Sequence, residues 1–211
     1  MRIVLRLIVC VLVLSGICWL FPLFHVVPLK KAVAEAKAKT FDAGQFAGNF
    51  WTNQLLASLD KAIPAEKLLT AIQSDPSAAK KQFARSVGMA ENYYYFLRGD
   101  GKVVSLSDDA VSLAVSNDST NAEVAIQTGL IFGDAIRDGT GLLNVNDYPD
   151  SQNFNDISAA LDNIVDTNVI PALTSQAKIG STVSFVGCAE VDDESTDLKP
   201  LKLIPIEARV Q

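Results

Sequence analysis

Apolar positions change their period along this chain, and each change marks a different kind of element. From Leu7 to Val27 they are almost continuous, opened by Arg2 and Arg6 and closed by Lys30 and Lys31. At 1.5 Å rise per residue, a helix over that stretch covers roughly 31 Å, the thickness of a bilayer core. The segment therefore predicts a membrane-targeting element: a retained anchor, a cleaved export signal or a lipoprotein signal. The Ala, Lys, Glu and Val of residues 31–39 predict a short helical stalk. After Asp42, the residues Phe46, Phe50, Leu55, Leu56, Leu59 and Ile63 recur at helical spacing as far as Pro64, and Trp51 widens the apolar face. Ala65 to Gln73 predicts a second helix, and Asp75-Pro76 an N-cap opening a third to about Val87.

Beyond Gly88 the pattern becomes that of strands. Tyr93 to Leu97 and Lys102 to Ser107, separated by Arg98-Gly99-Asp100-Gly101, predict a hairpin. Val111 to Val115 and Glu123 to Thr128 extend it to a four-strand meander. Helical spacing returns from about Asn153 to Val169, where Phe154, Ile157, Leu161, Ile164, Val165 and Asn168 share one side, Pro171 closes the helix, and the apolar side is expected to pack on the sheet. Thr182 to Val191 and Leu201 to Val210 read as two final strands around the acidic loop Asp192 to Asp197. The predicted fold class is α+β: an N-terminal membrane helix, a helical arm, then a small curved antiparallel β-sheet or an oligonucleotide/oligosaccharide-binding (OB)-like barrel with one packed helix. The expected organisation is a membrane anchor or signal segment over 1–30, a helical stalk and arm over 31–88, and a β-rich, barrel-like domain over 89–211.

Two processing signals bear on the first segment. Cys18 follows Leu14-Ser15-Gly16-Ile17, a lipobox flawed by the large, β-branched Ile17 where a small residue normally precedes the lipidated cysteine. Cys18 therefore reads first as an apolar cysteine of a membrane helix and second as a lipidation site. Ala32-Val33-Ala34 has the A-x-A form of a signal-peptidase site. Basic residues stand on both sides of the span, so the signal-like character of the segment decides the expected orientation: a single pass through a bacterial inner membrane, with the body facing the periplasm. His25, the chain's one histidine, falls in this segment, so no histidine chemistry is available to the body.

Charge narrows the function classes. All 24 acidic residues follow residue 31, whereas Arg2, Arg6 and Lys30 precede it, which leaves the body 15 of the 18 basic residues and a net charge near −9. Such a field repels phosphate backbones, so nucleic acid is not an expected partner. Cys10 and Cys18 lie in the apolar segment, and Cys188 stands alone in a strand-like run, so it reads as a buried, inert thiol. Too few ligands remain for structural zinc, and no metal or cofactor is expected.

One polar constellation stands out, between the meander and the late helix. Gly129-Leu-Ile-Phe-Gly133-Asp134-Ala-Ile-Arg137-Asp138-Gly139 is followed by Asn144-Val-Asn146-Asp147-Tyr148 and by Gln152. Arg137 can hold a carboxylate bidentately, and Asp134 and Asp138 are both close in sequence, so the arginine can pin this loop by pairing with them. The same residues allow a second reading, a polar sugar-like or carboxylate ligand held by Asp134, Arg137, Asp138, Asn146 and Gln152 with Tyr148 stacked beside it. Paired aspartates also admit hydrolysis, where two carboxylates work as acid and base, but no catalytic motif is present and no enzyme is expected. A phosphate-binding loop is excluded, since no lysine follows the glycines in the required pattern.

The chain resembles a family of uncharacterised bacterial proteins described as predicted periplasmic lipoproteins. The segments that carry the resemblance are Phe21-Pro-Leu-Phe-His-Val-Val-Pro-Leu29, Phe41-Asp42 with Trp51, Gly99-Asp-Gly-Lys-Val-Val104, Gly133-Asp-Ala-Ile-Arg-Asp138, Asn146-Asp147-Tyr148 and Gly180-Ser-Thr-Val-Ser-Phe-Val-Gly187. The resemblance implies a helical N-terminal part, a small barrel-like domain, an envelope location, and a neighbourhood of sugar ABC-transporter components; it supplies no catalytic residues. Ile17 and Asp150-Ser151-Gln152 depart from the family pattern. The leading expectation is a membrane-tethered periplasmic accessory protein that binds a small polar ligand or a partner such as a transporter component. The alternative is a structural envelope interaction module without a small-molecule site, and a more distant one is an aspartate-dependent envelope hydrolase.

Overall fold

A computed structural model describes residues 41–88, 91–116, 119–148 and 150–211, together with Val4, Arg6 and Pro28. Leu7 to Val27, with Cys10, Cys18 and His25, and the stalk over 31–39 lie outside the described residues, and among the described ones no helix is long and apolar enough to cross a membrane. The chain divides into two units, Met1–Phe41 and Asp42–Gln211.

The elements of the second unit, in chain order, are helix α1 (Ala43–Phe50), continued by a π turn over Trp51–Leu55 and a 3-10 turn over Leu56–Lys61; the short strand β1 (Ile63–Pro64); helices α2 (Ala65–Ser74) and α3 (Pro76–Phe83); and strands β2 (Tyr93–Leu106), β3 (Ala110–Ala114) and β4 (Val124–Gln127). Then come α4 (Ala135–Gly139), α5 (Ser151–Ile164) with a π turn over Val165–Val169, α6 (Ile170–Gln176), β5 (Thr182–Val191), the single turn α7 (Glu194–Asp197) and β6 (Leu201–Val210). The N-cap predicted at Asp75 is observed, and Asp42 caps α1 in the same way. The Asp42 carboxylate accepts from the Gln45 N–H and the Asp75 carboxylate from the Ala78 N–H, so each satisfies an amide that the first helical turn leaves unpaired.

The strands are ordered β1-β2-β3-β4-β6-β5, and β5 returns to pair with β2, which closes five of them into a barrel. Strand β2 lies antiparallel to β5 from Tyr93↔Val191 to Lys102↔Thr182 and then bends across to β3, with a bulge between Val103 and Ser105. β4 and β6 pair in parallel, Val124↔Leu201 to Ile126↔Leu203. A meander, one long strand shared by two neighbours and a parallel closing pair make the OB topology, so the α+β class with an OB-like barrel is observed.

Alternation decides what fills it. Tyr93, Tyr95, Leu97 and Val103 of β2 share one core with Val111, Leu113, Val124, Ile126, Phe185, Leu201 and Leu203, and Leu68, Leu69 and Ile72 of α2 close one end. Tyr94 and Cys188 point the other way, beneath α4, where a Cβ at Gly139 would meet Cys188 Sγ at 3.0 Å and Tyr94 Cβ at 3.3 Å. β2 is therefore buried on both faces from Tyr93 to Leu97.

The structure corrects several sequence expectations. Arg98-Gly99-Asp100-Gly101 is no turn: Tyr93–Leu106 is one curved strand, and the meander has three strands instead of four. The glycines serve curvature and packing, since a Cβ at Gly99 would lie 2.9 Å from Ala65 Cβ and one at Gly101 2.9 Å from Leu113 Cβ. Pro171 does not close the late helix either; it stands in the first turn of α6, where its missing N–H costs nothing, after a π turn has absorbed an extra residue. That turn shifts the register, so Asn168 is exposed instead of sharing the buried side of Phe154, Ile157, Leu161 and Val165. α5 packs on α1 and α4, and it is the π turn after it, with α6, that reaches β6.

Candidate functional site

The polar constellation assembles around Arg137, which sits in the short helix α4 and is only 6 % exposed. Its Nε donates to Asp138 Oδ1 and its Nη2 to Asp138 Oδ2, both at 2.8 Å, in the bidentate form. Nη1 pairs with Asp134 Oδ1 at 2.9 Å and donates to the Phe154 carbonyl and Asn155 Oδ1 at 3.4 and 3.3 Å. The guanidinium lies 4.0 Å from the centre of the Phe154 ring. Burial works against its charge, but Asp138 first and Asp134 after it outweigh that and raise its pKa. All the nitrogens of this side chain are thus engaged inside the protein.

Around this clamp lies a second layer that sequence spacing did not reveal. Ser158 Oγ donates to Asp134 Oδ1 at 2.8 Å. Asp162, 7 % exposed on α5, has its carboxyl pushed up to about 7 by burial and by the nearby Asp134 and Asp166, although the Gly133 N–H favours the anion. On β5, Glu190 accepts from Asn92 Nδ2 at 2.6 Å and from the Tyr94 hydroxyl at 3.1 Å, and burial first of all raises its pKa. A signal for part of this layer was present: Ser158 and Asp162 stand four and eight residues after Phe154, on the stripe that is otherwise apolar.

The remaining residues of the constellation go elsewhere. Asn146 is exposed in a 3-10 turn whose amide is capped by Asn144 Oδ1. Tyr148 packs edge-on against Phe46, ring centres 5.9 Å apart, and tilted against Phe154 at 5.2 Å, so its ring joins α1 to α5. Gln152 is exposed and its amide donates to Asp156 Oδ1 one helical turn on. Asp134, Arg137 and Asp138 are brought together, while Asn146, Tyr148 and Gln152 are spread along the surface and the α1–α5 contact.

What the clamp holds is the loop immediately before it. Gly133, at φ +122°, and Gly129 flank Leu130-Ile131-Phe132. Ile131 is buried, whereas Leu130 and Phe132 are 80 % and 75 % exposed. Beside Leu130, a groove of about 440 Å³ crosses the outer face of the β3–β4–β6 side of the barrel, lined by Asp109, Ala110, Ala125, Gln127, Pro200 and Lys202. Lys202 does not offer a free cation there, because its Nζ lies 2.8 Å from Asp197 Oδ1. Sequence reading placed Leu130 and Phe132 in the polar constellation and gave them no role of their own; the flanking glycines were the available signal.

Comparison with known proteins fits this architecture. A family model described as predicted periplasmic lipoprotein (DUF2291) matches residues 7–208. Among solved structures, an OB-fold protein (tm0957) from Thermotoga maritima MSB8 superposes with a TM-score of 0.72 at 25 % sequence identity, covering 82 % of this chain and 100 % of that one. No curated protein matches the chain.

Proposed function

Because the chain belongs to the predicted periplasmic lipoprotein family (DUF2291), we propose that it is an envelope-tethered, non-catalytic OB-fold module that binds a partner across the β3–β4–β6 face of its barrel. The observation that carries this reading is the pairing of two almost fully exposed, large apolar side chains, Leu130 and Phe132, with an adjoining groove of about 440 Å³. Exposed apolar clusters of this kind are costly in water and characterise interaction surfaces. In OB folds the corresponding strand face and its neighbouring loops take up ligands. The Asp134–Arg137–Asp138 clamp is assigned the role of positioning the loop, since Arg137 is wholly engaged by its two aspartates. The tether in this reading is the Leu7–Val27 segment with Cys18 as its lipid acceptor, and the body lies on the periplasmic side. The link to carbohydrate ABC transport is kept as the first place to look for the partner.

Hydrogen–deuterium exchange tests the reading. The full chain is compared in native envelope membranes and after purification in detergent. Amides of residues 106–133 are expected to exchange more slowly in the envelope, where the face is occupied. If protection is confined to residues 134–152, the ligand site belongs at the polar constellation; if no segment is protected, the module has no bound partner and the reading fails.

A further inference from the structure

The charge around the exposed loop decides what kind of partner fits it, on the reading that this face binds. Leu130 and Phe132 project from a rigid base: Ile131 between them is buried, and Asp134 just after them is held by Arg137 at 2.9 Å and by Ser158 at 2.8 Å. The apolar tip is thus presented ready-made, so little conformational freedom is lost when it docks. Both flanks are acidic. On one side, the Asp109 carbonyl accepts from the Thr128 and Gly129 N–H groups at 2.8 and 3.2 Å, and the Asp108 carbonyl from the Thr128 hydroxyl at 3.3 Å, which brings both aspartates against the start of the loop. On the other side stand Asp134, with its side chain 42 % exposed, and Glu190, whose Oε2 lies 3.5 Å from where a Gly133 Cβ would be. Two of the bases nearby are already paired, Arg137 with its two aspartates and Lys202 with Asp197.

A second copy of this chain would bring acid against acid, and an anionic bilayer would be repelled in the same way. We infer that the Gly129–Gly133 loop docks into an apolar pocket ringed by lysine and arginine on a protein partner, while a side chain of that partner fills the groove over Ala110, Ala125 and Pro200. The apolar tip supplies the desolvated centre of the contact, and Asp108 and Asp109 supply a screened, steering rim.

The test places a photo-crosslinking benzoylphenylalanine at Phe132 in the full chain in intact cells, with the same group at Ile179, which is 71 % exposed on the connection between α6 and β5, as control. The expected result is a protein adduct from position 132 and not from 179, whose crosslinked peptide carries apolar residues beside lysine or arginine. Its yield should fall about fivefold or more in washed membranes at roughly 0.5 M salt, and equally in an Asp108→Lys/Asp109→Lys variant that melts like the wild type. An adduct with a second copy, with lipid, or with a protein whose capture is indifferent to salt and to the charge reversal overturns the basic-pocket inference and leaves a binding face. Absence of any adduct, or equal adducts at both positions, overturns the inference and the binding face together.

Discussion

Asp162 shows most directly what burial does to one residue in this fold. Its carboxyl is 7 % exposed, and burial first, then Asp134 and Asp166, raise its pKa to about 7. A carboxyl whose folded-state pKa is raised favours the protonated form, so folding is penalised above pH 7, and the penalty fades as pH falls toward the ordinary aspartate value near 4. Asp162→Asn keeps an acceptor for the Gly133 N–H and removes the charge. It is expected to stabilise the protein by on the order of 2–4 kcal/mol at pH 8 and by almost nothing at pH 4, read as the difference between variant and wild-type urea midpoints at the two pH values. An equal gain at both would mean that Asp162 does not titrate in this range. The same residue marks the limit of what the sequence discloses. Arg137 between Asp134 and Asp138 was legible, because close spacing keeps such partners within reach. Asp162 and Glu190 meet the loop only through the packing of α5 and β5, and no short-range pattern announces that they arrive together.

Strand β2 makes the same point for whole elements. Two of its three partners, β5 and β3, were legible as strands, and the strands over Thr182–Val191 and Leu201–Val210 have the bounds the sequence predicts. Arg98-Gly99-Asp100-Gly101 reads as a turn on local chemistry alone, yet both glycines face inward on a continuous strand because closing the barrel brings Ala65, Phe185 and Leu113 too near for any side chain. Tertiary closeness, not φ, selects glycine there. Gly99→Val should therefore cost about 2–3 kcal/mol or more, since Ala65 Cβ and the Phe185 ring stand at 2.9 and 3.4 Å from the new Cβ. Gly48, in the interior of α1 with nothing within 4 Å of a Cβ, should respond oppositely: Gly48→Ala is expected to gain about 0.5–1 kcal/mol. Chemical denaturation of the two variants separates a glycine required by packing from one that merely loosens a helix. The π turn after α5 was beyond pattern reading for a related reason, since one inserted residue leaves the apolar spacing nearly intact while turning Asn168 outward.

For the molecule as a whole, the relevant fact is that the family match begins at residue 7 and ends at 208, so the apolar N-terminal segment and the barrel belong to one inherited unit. A body with a net charge near −9, from 24 acidic residues against 15 of the 18 basic ones, gains nothing from anionic headgroups. In the proposed reading its tether is the first segment, and a single acyl chain holds a protein only marginally, whereas multiple chains hold it firmly. If Cys18 is the acceptor, Cys18→Ser should abolish incorporation of labelled fatty acid, while Cys10→Ser leaves it unchanged. Ile17 occupies the position before the cysteine where a small residue normally stands, so Ile17→Ala should speed conversion of precursor to mature protein in a pulse-chase. The fate of the body in Cys18→Ser then distinguishes the tethers. Release into the periplasm places cleavage at Ala32-Val33-Ala34 as the default once lipidation is blocked. Retention in an alkali-washed membrane without lipid label would show that Leu7–Val27 itself spans the bilayer, and labelling that persists in Cys18→Ser would remove Cys18 as the attachment point.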